Sequence, residues 1–383
     1  MHQLSSTDAH LLDQACLQAR LACLVSDPNP RVGCVIASAQ GELLGQGHTQ
    51  IAGEAHAEVM ALRAASAAGH DVRGASVYMT LEPCSHFGRT PPCCDALIAA
   101  GVAKVVVALQ DSNPLVAGQG IARLRTAEIE VELLAPDHPA ALASRELNIG
   151  FFSRMIRKTP WVRMKIATSI DGKTALNNGQ SQWITSEAAR ADGHAWRARA
   201  SAVLTGIGTV LSDDPRLDVR LDLTLSETQR QPDLVLVDSR LEVPLEAQIF
   251  NPKRRVLIYA AVVDVAKKKA LEDLGASVTY LPGRASGGKK KVDLAAMLAD
   301  LGQREINELH VEAGHKLNGS LIRGGLVDEL LLYLAPKLIG QGAGMAQFGP
   351  LTELTQALPL TFLSTQMLGP DLRILARVTG RDF

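Results

Sequence analysis

The chain has 383 residues, 46% of them hydrophobic and 21% charged, with a formal net charge of -1. That composition suits a globular protein, and the length exceeds one ordinary core, so two domains are expected. The near-neutral charge and 4% aromatic content argue against a nucleic-acid binder, and no apolar run reaches the length of a membrane span.

The start, MHQLSSTDAHLLDQACL, lacks a basic segment followed by a long apolar block, so no signal peptide is read and a cytoplasmic location is expected. Residues 8–25 space apolar side chains at helical intervals and predict a helix, which Asp27-Pro28-Asn29-Pro30 ends. Strands are predicted over 31–38 and 42–48, joined by a turn at Gln40-Gly41. An Ala-rich helix is predicted over about 55–68. A strand over 75–83 precedes Cys84, and Pro91-Pro92 opens the next helix at Cys93. Strand 103–111, a helix near 118–127 and strand 129–134 complete an alternating pattern, read as a three-layer α/β domain with its site beyond the strand ends.

All six cysteines (Cys16, Cys23, Cys34, Cys84, Cys93, Cys94) fall in the first quarter of the chain, and all three tryptophans (Trp161, Trp183, Trp196) lie beyond residue 160. This asymmetry suits two domains, divided here into 1–150 and 151–383, with the junction near Asn148–Thr159. Such cysteines read as metal ligands and buried thiols rather than disulfides.

His56-Ala57-Glu58 and Pro83-Cys84…Cys93 supply an imidazole, two thiols and a carboxylate. A catalytic zinc takes three protein ligands and keeps a position for water, whose pKa it lowers to near neutral. His56, Cys84 and Cys93 fit the ligand roles and Glu58 the proton shuttle, a pairing that zinc nucleobase deaminases carry. Residues two apart do not share a helix face, so the metal is expected over the first turn of the Ala-rich helix. The bland alternative is buried thiols and a helical histidine. A structural zinc would need a fourth ligand; Cys94 is the candidate, and a pair adjacent in sequence would be strained.

In the second half, residues 135–160 hold a helix and the basic stretch FFSRMIRKTP. Strand 161–169 turns at Asp171-Gly172, and Thr185 or Ser186 caps a helix running to about 200. Strand 202–206, a loop TVLSDDPRLDVR, and strands 234–239 and 255–260 follow. Surface helices are read in VAKKKALEDLG and VDLAAMLADLG, then strand 308–314 and helix His315–Arg323. Strand, glycine and helix N-terminus can bind phosphate through backbone N–H groups, or can simply be tight packing. Gly314-x4-Gly319-Ser320 lacks the lysine of a Walker loop, and no Gly-x-Gly-x-x-Gly follows a strand.

The segments DPNPRVGCVI, HAEVMAL and LEPCSHFGRTPPC resemble the deaminase half of the bifunctional riboflavin-biosynthesis deaminase/reductases, in which the long Cys84–Cys93 spacing is usual. MKIATSIDGKTA, SQWIT, LTGIGTVLSDDP and VEAGHKLNGSL resemble the reductase half. The resemblance implies a cytidine-deaminase-like α/β/α domain followed by a dihydrofolate-reductase-like α/β domain. It implies one zinc per chain on His56, Cys84 and Cys93, with Glu58 catalytic. Asn29, His48, His86, Arg89, Asp111 and Asn113 then fall at deaminase substrate positions. Lys165, Ser181, Arg197, Leu217, Arg220 and Glu312 fall at reductase substrate positions, with Arg197 and Arg220 suited to clamp a sugar phosphate. Ala167, Trp183, Thr209, Asp213, Ser239 and the loop Gly314, His315, Lys316, Leu317, Asn318, Gly319, Ser320 fall at NADPH positions. The chain departs from the usual pattern at Cys94, Ser112 and His315.

The implied reaction removes the exocyclic amine of a diaminopyrimidinone carrying a ribosylamino phosphate, then reduces the ribose to a ribityl chain with NADPH. The expected partner is this phosphorylated pyrimidine, with no nucleic acid or membrane, in a homo-oligomer (a dimer through the reductase domain, or a tetramer). A nucleic-acid-editing deaminase would need a basic, aromatic surface, which the composition disfavours. A degenerate, regulatory C-terminal half is disfavoured by Asp213, Arg197 and Arg220.

Overall fold

A computed structural model describes residues 5–88, 90–114, 116–220, 230–283 and 290–382. They form two compact units that divide between Lys158 and Thr159. The sequence expectation placed the division at 150/151. The helix Ile149–Arg157 instead belongs to the first unit, where it buries Ile149, Phe151 and Phe152.

The first unit runs α1 (Ser6–Leu21), β1 (Gly33–Ala37), β2 (Leu43–His48), α2 (Ala57–Ala67), β3 (Ser76–Met79), α3 (Cys93–Ala100), β4 (Lys104–Val107), α4 (Gln119–Thr126), β5 (Glu130–Leu133), α5 (Pro139–Leu147) and α6 (Ile149–Arg157). Among the described residues its strands order as β2-β1-β3-β4-β5. β1 is antiparallel to β2 and β3, and β3, β4 and β5 are parallel. Val35, Ala37, Tyr78 and Val106 bury one face against Leu11, Leu12 and Ala15 of α1 and Ala140 of α5. The opposite face takes α2. A Cβ on Gly45 would lie 2.3 Å from the Ala61 carbonyl oxygen, and one on Gly47 2.6 Å from the Ala61 nitrogen. Glycines in β2 and alanines in α2 therefore belong together, because only small residues permit that approach.

The second unit runs β6 (Trp161–Ser169), β7 (Lys173–Leu176), α7 (Glu187–Arg199), β8 (Ala202–Gly206), α8 (Ile207–Asp213), β9 (Asp233–Val237), β10 (Val256–Ala260), α9 (Val265–Asp273), β11 (Ala276–Tyr280), α10 (Leu294–Gln303), β12 (Glu308–Val311), α11 (His315–Arg323), β13 (Glu329–Ala335), β14 (Gly342–Gly344), β15 (Leu360–Leu368) and β16 (Asp371–Val378). The main sheet orders as β11-β10-β9-β8-β12-β6-β13-β16-β15. Pairing is parallel from β11 to β13 and antiparallel at β16 and β15. Met297, Leu298 and Leu301 of α10 and Leu321 of α11 cover one face, and Leu271 of α9 and Val210 of α8 the other. Strands buried on both faces read as continuous apolar runs, as ELLLYLA does.

Two differences from expectation matter. Part of the loop expected over TVLSDDPRLDVR is helix α8, closed by Asp214 in the left-handed region and followed by Pro215. Gly208 and Ser212 weaken its helical signal. Strands β13 to β16 also lie beyond the last element expected from sequence.

At the amino end of β6, Arg163 is buried between Glu308 (2.7 Å) and Glu329 (2.5 Å) on the two flanking strands. Arg377 also reaches Glu329 at 3.2 Å, and Trp196 stacks over the Arg163 guanidinium at 4.5 Å. Among the described residues, no helix is long and apolar enough to cross a membrane.

Candidate active sites

In the first unit the strand register brings several loops to one end of the sheet. Gly33 pairs with His48 and Cys34 with Met79, while Met79 pairs with Val107. The segments just before β1 and just after β2, β3 and β4 therefore share that end. They carry Asn29, His48, Cys84 and Asp111. His56 is the N-cap of α2 and Cys93 the first residue of α3.

His56, Cys84 and Cys93 offer ligand atoms that all lie within 4.8 Å of one another. His56 Nδ1 is 3.6 Å from Cys84 Sγ and 3.3 Å from Cys93 Sγ, and the Cys93 N–H donates to Cys84 Sγ at 3.3 Å. The hydrogen bond between the two sulfurs holds the Cys84 thiol well below its ordinary value, at about 4, and together with burial pushes that of Cys93 up. One imidazole and two thiols at this spacing suit a tetrahedral zinc with an open position. Cys94 is buried but lies outside the cluster, its Sγ 4.0 Å from Asp95 Oδ1.

Glu58, 3% exposed, bonds to the Cys93 side chain. Burial, reinforced by the charge on Cys84, pushes its carboxyl up to about 7. A carboxyl poised there exchanges protons readily near neutral pH. Asp111 is raised to about 7 as well, chiefly by burial, and accepts the Asn113 N–H at 2.8 Å. His48 Nδ1 lies 3.3 Å from Gln18 Oε1, the Asn29 N–H donates to the Ser26 carbonyl, and His86 follows Cys84 with Nδ1 buried and without a hydrogen-bond partner among the described residues. Arg89 lies outside the described residues.

In the second unit Glu312 follows β12, and Lys165 stands on neighbouring β6 with Nζ 3.6 Å from Glu312 Oε2. Arg197 donates from Nε and Nη2 to the two Glu312 oxygens at 2.6 and 3.0 Å, and from Nη1 to the Asp218 carbonyl. Burial opposes charge on Glu312, yet Arg197 and Lys165 hold its carboxyl well below the usual range. Arg197 thus lies along Glu312, which takes two of its guanidinium nitrogens, while the third reaches the Asp218 carbonyl. Arg220 has a side chain 58% exposed and pairs with Asp218 on one side. Leu217, the residue before Asp218, is in the left-handed region, φ 51°.

Thr209 and the loop opened by Gly314 follow the adjacent ends of β8 and β12. A Cβ on Gly206 would approach Leu317 Cδ2 to 3.1 Å, one on Gly314 would stand 3.9 Å from Thr209 Oγ1, and one on Gly208 would meet open space. Gly314 caps α11, whose first turn directs N–H groups outward, so a dinucleotide's phosphates fit there without a Rossmann fingerprint. Ser239 accepts the Val292 N–H, Asp213 is the last residue of α8, and Ala167 pairs with Tyr333. Trp183 is 64% exposed, with the Arg190 guanidinium stacked 4.5 Å from its ring centroid; Ser181 lies two residues earlier, half-buried. The far end of the loop behaves differently. Asn318 donates to the Met345 carbonyl, a Cβ on Gly319 would fall 1.9 Å from the Gln347 oxygen, and Ser320 donates to the Lys316 carbonyl. Asn318 and Gly319 seat the helix against residues 345–347, and Gly314, His315 and Lys316 form its amino end.

Residues 5–109 match the cytidine and deoxycytidylate deaminase zinc-binding region, and residues 160–374 match the RibD C-terminal domain. The riboflavin biosynthesis protein RibD of Escherichia coli (strain K12) is 42% identical over 95% of this chain and 98% of its own length. The chain belongs to the RibD family. RibD of Aquifex aeolicus is 39% identical, covering 91% of this chain and 92% of its own. Among solved structures, Acinetobacter baumannii RibD, form 1, matches with a TM-score of 0.86 and 39% identity over 97% of this chain and 99% of its own. The Thermotoga maritima diaminohydroxyphosphoribosylaminopyrimidine deaminase/5-amino-6-(5-phosphoribosylamino)uracil reductase matches with a TM-score of 0.82 and 27% identity, over the same shares. As a RibD protein the chain is a bifunctional enzyme of riboflavin biosynthesis, a zinc-dependent deaminase joined to an NADPH-dependent reductase. The expected fold, a deaminase-like α/β unit followed by a reductase-like one, is borne out.

Sequence reasoning missed Glu82, His194 and His310. Glu82 stands two residues before Cys84 and looks like an ordinary strand-end carboxylate. His194 lies between two arginines: Arg220 donates its backbone N–H to Nδ1 at 3.3 Å, and Arg197 Nη1 is 3.4 Å from the same nitrogen. Burial and those charges push it down to about 4. A lone histidine in a helix gives no signal of such a setting.

Proposed function

We propose that residues 1–158 carry the deamination and residues 159–383 the reduction, each with the residues named above. The reading of the first site rests on one observation: His56 Nδ1, Cys84 Sγ and Cys93 Sγ converge within 4.8 Å beside a buried Glu58. His56, Cys84 and Cys93 would hold one zinc, which would supply a Lewis acid able to bring water toward ionisation at neutral pH. Glu58 accepts a proton from the attacking water and returns it to the departing amine, so water enters and ammonia leaves in balance. Asp111, Asn113, Asn29, His48 and His86 surround the pyrimidine, and Arg89 meets its phosphate.

In the second site NADPH supplies the hydride, and the chain's task is alignment. Lys165 holds the sugar oxygen, with Glu312 and Arg197 fixing its ammonium in place. Arg220 is the phosphate arm, since a guanidinium fork matches phosphate oxygens. A Cys84→Ser variant tests the division of labour. It should lose zinc and ammonia release together while still reducing already deaminated substrate; loss of both activities would contradict two separate sites.

A dimer through the reductase unit is part of this proposal, in a protein that works in the cytoplasm. Edge strand β15 is exposed along nearly its whole length, with Phe362 at 67% and Met367 at 60%. A long apolar edge of this kind invites pairing with another copy. Phe362→Glu should shift the sedimenting species toward monomer, and an unchanged species would place the interface elsewhere.

A further inference from the structure

We propose that Glu82 is a positioning residue for deamination: its carboxylate ties the loop carrying Asp111 and Asn113 to the strand end carrying Cys84. The inference rests on the reading of that loop as a substrate contact. Glu82 is 4% exposed and accepts four backbone N–H groups. Oε2 takes those of Asp111 (3.2 Å) and Gly118 (2.9 Å), and Oε1 those of Gly120 (2.9 Å) and Ile121 (3.1 Å). Gly120 and Ile121 are in the first turn of α4, whose donors have no partner within the helix. Gly118, the residue at its cap, has no side chain to offer them, so Glu82 caps the helix from another segment.

The geometry around this carboxylate leaves little slack. A Cβ on Gly120 would fall 2.1 Å from the Pro83 carbonyl oxygen, so α4 is seated directly on the residue between Glu82 and Cys84. From Asp111 the connection continues, since its Oδ1 accepts the Asn113 N–H at 2.8 Å. The cluster is held by other contacts: Cys84 Sγ receives the Cys93 N–H, and His56 lies against both sulfurs. Disturbing Glu82 therefore moves the substrate loop while the three ligands keep their places. Glu82→Gln preserves size but turns an NH2 toward backbone donors, which separates one end of the tie.

The test uses the full-length, zinc-loaded protein, with zinc content measured and turnover expressed per bound zinc. Glu82→Gln should keep zinc and the reductase rate at wild-type levels, while kcat/KM for ammonia release falls roughly 10–100-fold, mainly through KM. Asn113→Ala should also raise KM, and the double variant should lose far less than the product of the single losses, because both act through one loop. Should Glu82→Gln fold poorly, Glu82→Asp, which withdraws the carboxylate from α4, is judged by the same ratios. Multiplicative losses, or zinc lost in step with activity, would overturn the positioning role. An unchanged KM in Asn113→Ala alone would instead overturn the substrate-contact reading beneath it.

Discussion

Arg197 lays its guanidinium fork along Glu312, with Nε 2.6 Å from one carboxylate oxygen and Nη2 3.0 Å from the other. Both side chains are largely buried, and Lys165 approaches the same carboxylate. Removing one partner of such a pair strands the other charge and costs about 3–5 kcal/mol. Arg197→Ala should therefore lower the reductase kcat and the thermal midpoint of the second unit together, with deamination intact. Tryptophan fluorescence reports that unit selectively, since all three tryptophans lie in it. A rise in KM alone would restore Arg197 as a phosphate contact.

Arg220 is the complementary case. Its side chain is 58% exposed, with Nη1 on Asp218 and Nη2 3.3 Å from His194 Nε2. A charge-assisted contact contributes about 1.5–3 kcal/mol, so Arg220→Ala should raise the reductase KM roughly 10–100-fold. A substrate lacking the phosphate should show no such difference. Equal losses on both substrates would remove Arg220 from that role.

Glu58→Gln keeps the side chain's volume and removes its ability to carry a proton. Zinc content should stay at the wild-type level, and ammonia release should fall roughly 100- to 10,000-fold. Reduction of deaminated substrate should continue unchanged. Persistent turnover in the variant would assign the proton transfer to another group.

His310 is buried with no hydrogen bond to either ring nitrogen among the described residues; Nε2 stands 3.6 Å from Glu312 Oε1, yet burial pushes the imidazole down to about 3, and His194 is pushed down to about 4. Unfolded, both titrate near 6.5. As pH falls from 6.5 toward 4 the unfolded chain binds protons that the folded one refuses, so stability declines with acid through that window. Glu312, held well below the usual range, contributes stability that is lost only at lower pH. The thermal midpoint of the second unit should thus be lower at pH 5 than at pH 7, and less so in His310→Asn. An identical pH slope in the variant would contradict the account.

Much of the fold was legible because several segments repeat one period cleanly. β6, β8 and α11 run as expected to the residue, since each is bounded by an abrupt change of pattern. The metal cluster was legible as well, because His56, Cys84 and Cys93 are chemically rare and bracket two helix starts and a strand end. What escaped depends on partners far away in the sequence. Glu82 is meaningful only through backbone groups between 111 and 121, and Arg197 only through Glu312, 115 positions later. Helix α8 escaped because Gly208 and Ser212 mask a turn that is held by packing of Val210.

The most direct measurement supplies the diaminopyrimidine ribosylamino phosphate to the zinc-loaded enzyme, with and without NADPH, and identifies the products by mass. Without NADPH the product should have exchanged one amino group for oxygen and nothing else. With NADPH the same product should gain two hydrogens on the sugar, and Glu58→Gln should block the first change while leaving deaminated substrate reducible. Ammonia release that requires NADPH, or sugar reduction that survives only with an intact Glu58, would contradict two independent sites on one chain.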